Sequence, residues 1–268
     1  MATNGMTAEP KLAPLTQDAI LLSRGDVRDQ ELRTEAGRTL AELHRVLRQN
    51  LPADGIAVFE AGGGSTSYLP TDIRDRTKLT VVDIDTVQVQ LNTYADTVIQ
   101  GDIQTHRFAD ARFDLVVCYN VIEHLPDVEA AFEGFAAALK PGGLVLIGAP
   151  YPTSLSGFVT RFTPHWFHVA FCRYALGWET AGQPGYAPFP THFHPLVDPK
   201  RLAEHAAQKG FSVVHSRIYE SPRYPEMRAR RPWLARVLDA GASILNIVLA
   251  TRRDVRDGDY HLVLRKNA

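Results

Sequence analysis

The sequence predicts an α/β protein, a doubly wound and mostly parallel sheet of seven strands, and three features carry that expectation. Short apolar runs alternate with amphipathic segments up to Pro150, the pattern of strands joined by crossover helices. The fifth run, "LVLIGAP", is apolar almost throughout, which suits a strand covered on both faces. The first run, "IAVFE", leads directly into "AGGG", where three consecutive glycines point to something approaching the backbone closely.

From Val27 to Asn50, residues Leu32, Leu40, Leu43, Val46 and Leu47 fall at helical spacing, and "LPADG" ends that helix. "IAVFE" is the first strand; "LTVVDID" is the second and closes on Asp83 and Asp85. "TVIQGD" is a short third strand ending near Asp102, and "FDLVVCYN" is the fourth. "VEAAFEGFAAALKPGG" reads as a helix stopped by Pro141 and two glycines, before the fifth strand. Beyond Pro150 the rhythm lapses, and Tyr151 to Pro199, rich in aromatics, His, Pro and Gly, reads as an insertion. "DPKRLAEHAAQKGF" resumes a helix, "FSVVHSRIYE" a strand and "DYHLVLRKN" the last strand. The expected organisation is a tail and lead-in at 1–26, a core at 27–150, a lid insertion at 151–199, and a return to the core at 200–268 with a helical insertion at 221–258.

At 268 residues the chain suffices for one large domain with insertions. A formal net charge of -1 gives no global attraction to nucleic acid or anionic membrane, and no nucleic acid is expected as a partner. Cys118 and Cys172 form neither a disulfide framework nor a metal-type spacing. The polar N-terminus lacks the basic start and apolar core of a signal peptide, and a reducing cytoplasm is the expected location.

The glycine loop discriminates among cofactors. A phosphate-binding Walker loop needs a lysine after its last glycine, whereas Gly64 is followed by Ser65, Thr66 and Ser67. A dinucleotide fingerprint started at Gly62 and Gly64 places Ser67 where Gly or Ala belongs. Glu60 would repel a pyrophosphate but suits a cofactor carrying an ammonium and a sulfonium.

These residues resemble the class I S-adenosylmethionine-dependent methyltransferases, whose first strand ends in an acid followed by G-x-G. Glu60, Gly62 and Gly64 match that pattern, with Ala61 between them, Glu in place of the usual Asp and Thr66 in place of a third glycine. The resemblance implies that Asp83, ending the second strand, accepts from both ribose hydroxyls, with Ile84 against one adenine face. It implies that Asp102, in the run Gly101 to Ile103, accepts from the adenine amino group, and that Asn120 lines the methionine end. "FDLVVCYNVIEHLPD" and "LKPGGLVLI" complete the ordered set, which covers roughly Ile56 to Pro150. The same residues have plainer readings beside these: the glycines as a tight turn, Asp83 as a solvated strand end, Asp85 as a helix cap, Asp102 as a loop cap and Asn120 as a turn residue.

S-adenosylmethionine is thus the expected cofactor and O-methylation of a small hydroxylated molecule the expected reaction, with N-methylation, a nicotinamide-dependent oxidoreductase and a non-catalytic cofactor-binding subunit as alternatives. An alcohol keeps its proton at neutral pH and benefits from a general base, for which histidine is suited. His124 and His192 are the candidate catalytic residues, with His165, His168 and His194 also beyond the strand ends; the alternative for "THFHPL" is that its histidines only anchor the lid. Some relatives carry E-x-x-E-H after the fourth strand as metal ligands. Here Asn120, Glu123 and His124 stand at those positions, and the amide weakens a divalent site, so a metal is not favoured, with Glu123 and His124 as the alternative ligands.

The insertion's aromatics, among them Phe158, Phe162, Trp166, Phe167, Tyr174, Phe189 and Phe193, suit a ring-bearing acceptor such as a glycoside, with a polyketide or phenol next, unless they form the insertion's own core. The segment 232–250 is apolar apart from a stripe of Arg236, Asp239, Ser243 and Asn246. Internal Arg and Asp argue against a membrane span. Its broad apolar face packs on the parent domain, forms a homodimer seam, closes over substrate or lies on a membrane.

Overall fold

The computed structural model describes residues 34–222, 224, 225, 228, 231–248 and 253–268. The expected tail, residues 27–33 of the expected first helix, and residues 249 and 250 of the segment 232–250 lie outside the described residues.

Helix α1 (Glu35–Asn50) starts at Thr34, whose hydroxyl accepts from the Gly37 N–H at 3.0 Å. It buries Leu40, Leu43, Val46 and Leu47, four of the residues that predicted it. The sheet consists of β1 (Ile56–Ala61), β2 (Thr77–Asp83), β3 (Thr97–Gln100), β4 (Phe113–Tyr119), β5 (Leu139–Pro150), β6 (Phe211–Tyr219) and β7 (Asp259–Lys266). Its order is β3-β2-β1-β4-β5-β7-β6. Strands β1 to β5 pair in parallel, while β7 runs antiparallel to both β5 and β6. Short helices α2 (Thr71–Arg74) and α3 (Thr86–Leu91) follow β1 and β2, α4 (Val128–Ala138) precedes β5, and α7 (Pro199–Gln208) precedes β6.

Both faces of the sheet are covered. On one, Leu40, Leu43 and Leu47 of α1 join Val58, Leu115, Val117 and Leu146. On the other, Phe132 and Phe135 of α4 and Leu202 of α7 join Phe59, Val116 and Ile147. The helix before β5 ends earlier than expected. Its last residue is Ala138, Leu139 already pairs with Phe113, and the next partners are Leu115 and Leu144. "KPGG" follows directly after the C-cap Leu139 and lies within β5. The second strand ends at Asp83, and Asp85 caps α3 by accepting from the Val87 and Gln88 N–H groups.

The lid contains two short helices, α5 (Leu155–Phe162) and α6 (His165–Ala170), where no regular elements were expected. None of its aromatic side chains is buried, so they do not form a core of their own. Helix α8 (Pro232–Val248) lies in the second insertion. No helix among the described residues is long and apolar enough to cross a membrane.

Candidate active site

The carboxyl ends of the parallel strands form one edge, and the glycine turn after β1 lies on it. Gly62 has φ of +71°, donates its N–H to the Val82 carbonyl at 2.7 Å, and sits so close to Val121 that a Cβ would come 2.6 Å from Cγ1. Only glycine combines that conformation with that approach. Gly64, with φ of +54°, donates to Asp83 Oδ2 at 2.9 Å, and Ser65 N–H donates to Gln88 Oε1 at 2.9 Å. The turn is thus tied to both the end of β2 and the helix after it.

The three acids lie in different surroundings. Glu60 is 1% exposed; Oε1 accepts from the Ser67 hydroxyl at 2.7 Å and the Tyr68 N–H at 3.3 Å, and Oε2 accepts from the Tyr94 hydroxyl at 2.8 Å. Burial pushes its carboxyl up to about 7 against the pull of those donors. These donors tie the Glu60 carboxyl to the loop above it. Asp83 accepts two backbone N–H groups, Gly64 on Oδ2 and Asp85 on Oδ1 at 2.8 Å, and burial raises its carboxyl. Asp102 is half-buried and accepts from the backbone and side-chain amides of Gln104.

Ile84 is 68% exposed beside Asp83, as a platform for a flat ring requires. The side chains of Ile103 and Ala61 pack into the core with Phe59 and Val82. Asn120 takes a left-handed conformation, φ 54°, directly after β4 and donates its backbone N–H to the Gly148 carbonyl at 2.8 Å. Its side chain lies 3.5 Å from the Tyr68 hydroxyl.

Beneath Asn120 is a group of rings that sequence reasoning missed. Tyr68 stacks on Tyr119 with centroids 4.5 Å apart, and the Tyr119 hydroxyl is 2.5 Å from His261 Nε2, which the Tyr219 hydroxyl also reaches at 2.8 Å. Tyr119 lies over Gly148, where any Cβ would come within 2.2 Å of its ring. Burial holds the His261 imidazole at about 3, so it stays neutral.

Of the expected histidines, His124 and His192 meet at Glu123. His192 N–H donates to the Glu123 carbonyl at 2.7 Å, which ties the end of the lid to the loop after β4, while its side chain is exposed. His124 Nδ1 lies 2.8 Å from the Pro190 carbonyl, and its Nε2 is 3.7 Å from Glu123 Oε1. His194 Nδ1 accepts from the Leu196 N–H, an anchoring role, and His168 pairs with Thr163. Among the described residues no group of three His, Cys, Asp or Glu side chains converges as a metal cage. The lid also reaches the turn after β2: Gln88 Nε2 donates to the Gly185 carbonyl, and a Cβ on Gly185 would come 2.8 Å from Val87 Cβ.

Residues 59–147 match the family described as Methyltransferase domain. The Ubiquinone biosynthesis O-methyltransferase of Azoarcus sp. (strain BH72) is 27% identical over 121 residues, covering 45% of this chain and 44% of that protein. The chain thus spans less than half the length of that curated relative. Among solved structures, an S-adenosylmethionine dependent methyltransferase from Mesorhizobium loti is similar with a TM-score of 0.52 at 16% identity, covering 83% of this chain and 96% of that one. The [4+2]-cyclase SpnF is similar with a TM-score of 0.53 at 16% identity, covering 92% and 88%. At such identities the likeness is one of fold.

Proposed function

This chain carries a class I S-adenosylmethionine-dependent methyltransferase domain, and from that premise we propose that it methylates a hydroxyl of a small, ring-bearing acceptor such as a glycoside or a phenol. The reading rests above all on Asp83, a buried strand-end carboxylate that the Gly64 N–H of the glycine turn and the Asp85 N–H hold at the end of β2. Asp83 would hold the ribose, Asp102 the adenine amino group and Ile84 one adenine face, with Asn120 at the methionine end. Glu60 shapes the loop that cradles the cofactor. The cofactor supplies a methyl group already made electrophilic by its sulfonium.

What remains for the chain is to align the acceptor and take its proton. His124 suits that role better than His192. A carbonyl only accepts, so the contact with Pro190 makes Nδ1 the protonated nitrogen and leaves Nε2 as the base. The Glu123 carboxylate lies 3.7 Å from that nitrogen. Exposed aromatic side chains on the lid, including Phe189 packed edge-on to His124 at 5.8 Å, support an acceptor with a flat or amphipathic face. The curated relative named an O-methyltransferase supports oxygen as the methylated atom.

The test is calorimetry with S-adenosylhomocysteine followed by a screen of hydroxylated acceptors with methyl-labelled cofactor. Asp83→Ala should lose about 1.5 to 3 kcal/mol for each ribose hydrogen bond to the charged acceptor; unchanged affinity rejects the assignment. The similar fold of a [4+2]-cyclase motivates a second reading, in which this chain binds the cofactor and moves no methyl. Tight S-adenosylhomocysteine binding with no label transferred to any acceptor would favour it.

A further inference from the structure

We propose that helix α8 is the seam of a symmetric homodimer, two copies of this chain packing antiparallel across Ala240. One face of the helix belongs to its own subunit. Ala235 and Ala242 are buried, and Leu234, Leu238 and Leu245 pack with Leu155, Tyr224 and Val255. The opposite face carries Trp233, Val237, Ala240, Ile244 and Ile247, all exposed, with the first, second, fourth and fifth at 63%, 60%, 61% and 80%.

These residues are spaced four, three, four and three apart. At about 100° per residue they form a stripe only about 80° wide, the narrow seam of helix-on-helix packing. A bilayer would accept any broad apolar arc and sets no such spacing. The stripe is also self-complementary, as a two-fold interface requires. Ala240 lies seven residues from both Trp233 and Ile247. An antiparallel crossing at Ala240 lets the two helices approach closely and sets the large Trp233 of one copy on Ile247 of the other. The same arrangement separates the two copies of exposed Arg236, which a parallel crossing would bring together. The helix's acid, Asp239, is neutralised within its own subunit by Arg228 at 3.1 Å and Arg256 at 3.2 Å, so it does not oppose the pairing.

The area is adequate. Trp233, Val237, Ile244, Ile247 and neighbouring Val248 together expose on the order of 600 Å², and rim residues such as Arg236 and Ser243 bring this near the roughly 800 Å² per partner of a standard interface. This seam does not depend on the methyltransferase reading.

Light scattering on the eluted full chain should give twice the chain mass of 29.7 kDa. Ile247→Asp and Val237→Asp should each give the chain mass while keeping the wild-type melting temperature shift with S-adenosylhomocysteine. Ile247 is the most exposed of the stripe, so its substitution leaves the subunit's own packing intact. A wild-type monomer at every concentration overturns the proposal, as does a dimer that survives both substitutions. Vesicles of phosphatidylglycerol supply the competing outcome: a monomer that sediments with them in an α8-dependent way would make the stripe a membrane surface and overturn the seam.

Discussion

The Tyr94 hydroxyl donates to Glu60 Oε2 at 2.8 Å from beneath the glycine turn and lies 3.0 Å from the Gly63 carbonyl, so one phenol supports both the buried acid and the loop above it.

The raised Glu60 carboxyl makes stability depend on pH in a defined direction. Because its folded value of about 7 lies above the ordinary 4.5, the folded state binds more protons between those values. Its contribution is complete below about 4.5 and is lost as pH rises through about 7. Glu60→Gln removes this dependence. Denaturant unfolding should show the variant gaining on the wild type from about pH 5 to about pH 8, by up to about 3 kcal/mol. An equal stability difference at both pH values would contradict the protonated state.

Gln88 joins the glycine turn to the lid, accepting from Ser65 N–H and donating to the Gly185 carbonyl. Gln88→Ala should raise amide hydrogen exchange in residues 182–189 and weaken S-adenosylhomocysteine binding by up to about tenfold, the range for losing a hydrogen bond. Exchange that stays at the wild-type level would show that the lid is held elsewhere.

His124→Ala should slow turnover by about a hundredfold to ten-thousandfold and leave S-adenosylhomocysteine affinity intact, whereas His192→Ala should retain most activity. The reverse pattern would move the base to His192, and full activity in both would remove histidine from the proton transfer. With Asn120 where metal-dependent relatives carry a carboxylate, EDTA should leave wild-type turnover unchanged; activity restored by one divalent ion would reassign Glu123 and His124 as ligands.

Strands β1, β2, β4 and β5 were legible because their apolar runs are nearly continuous, and the glycine turn because its glycines follow an acid at a strand end. Other features depend on where the chain goes afterwards. Ile103 follows Asp102 in sequence, yet the turn directs its side chain into the core. Glu60 accepts from Ser67, seven residues on, and Tyr94, thirty-four residues on, and no spacing rule joins the three. The Tyr119 and His261 pair spans 142 residues and requires β7 to insert beside β5, which the apolar pattern does not reveal.

A second pH limit lies in the opposite direction. His44 is buried, its Nε2 has no hydrogen-bond partner among the described residues, and burial with the nearby Arg48 lowers its imidazole to about 4. The folded state thus takes up fewer protons than the unfolded chain below about pH 6.5, and stability falls as pH drops from there toward about 4. His44→Leu should reduce that loss by about 1.4 kcal/mol per pH unit in this window, read from denaturant midpoints. Parallel pH curves for wild type and variant would refute it.

The position of β7 imposes an order on synthesis. It is the last strand in sequence, yet it lies between β5 and β6 and is bonded to both along nearly its whole length. While the ribosome is still making residues 221–258, β5 ends in an open edge and β6 has no strand to join. Both remain available to wrong partners until β7 emerges. The sheet is therefore completed after its other strands have been made, and a nascent chain stalled before Asp259 should need a chaperone to stay soluble even though β1 to β5 are already present.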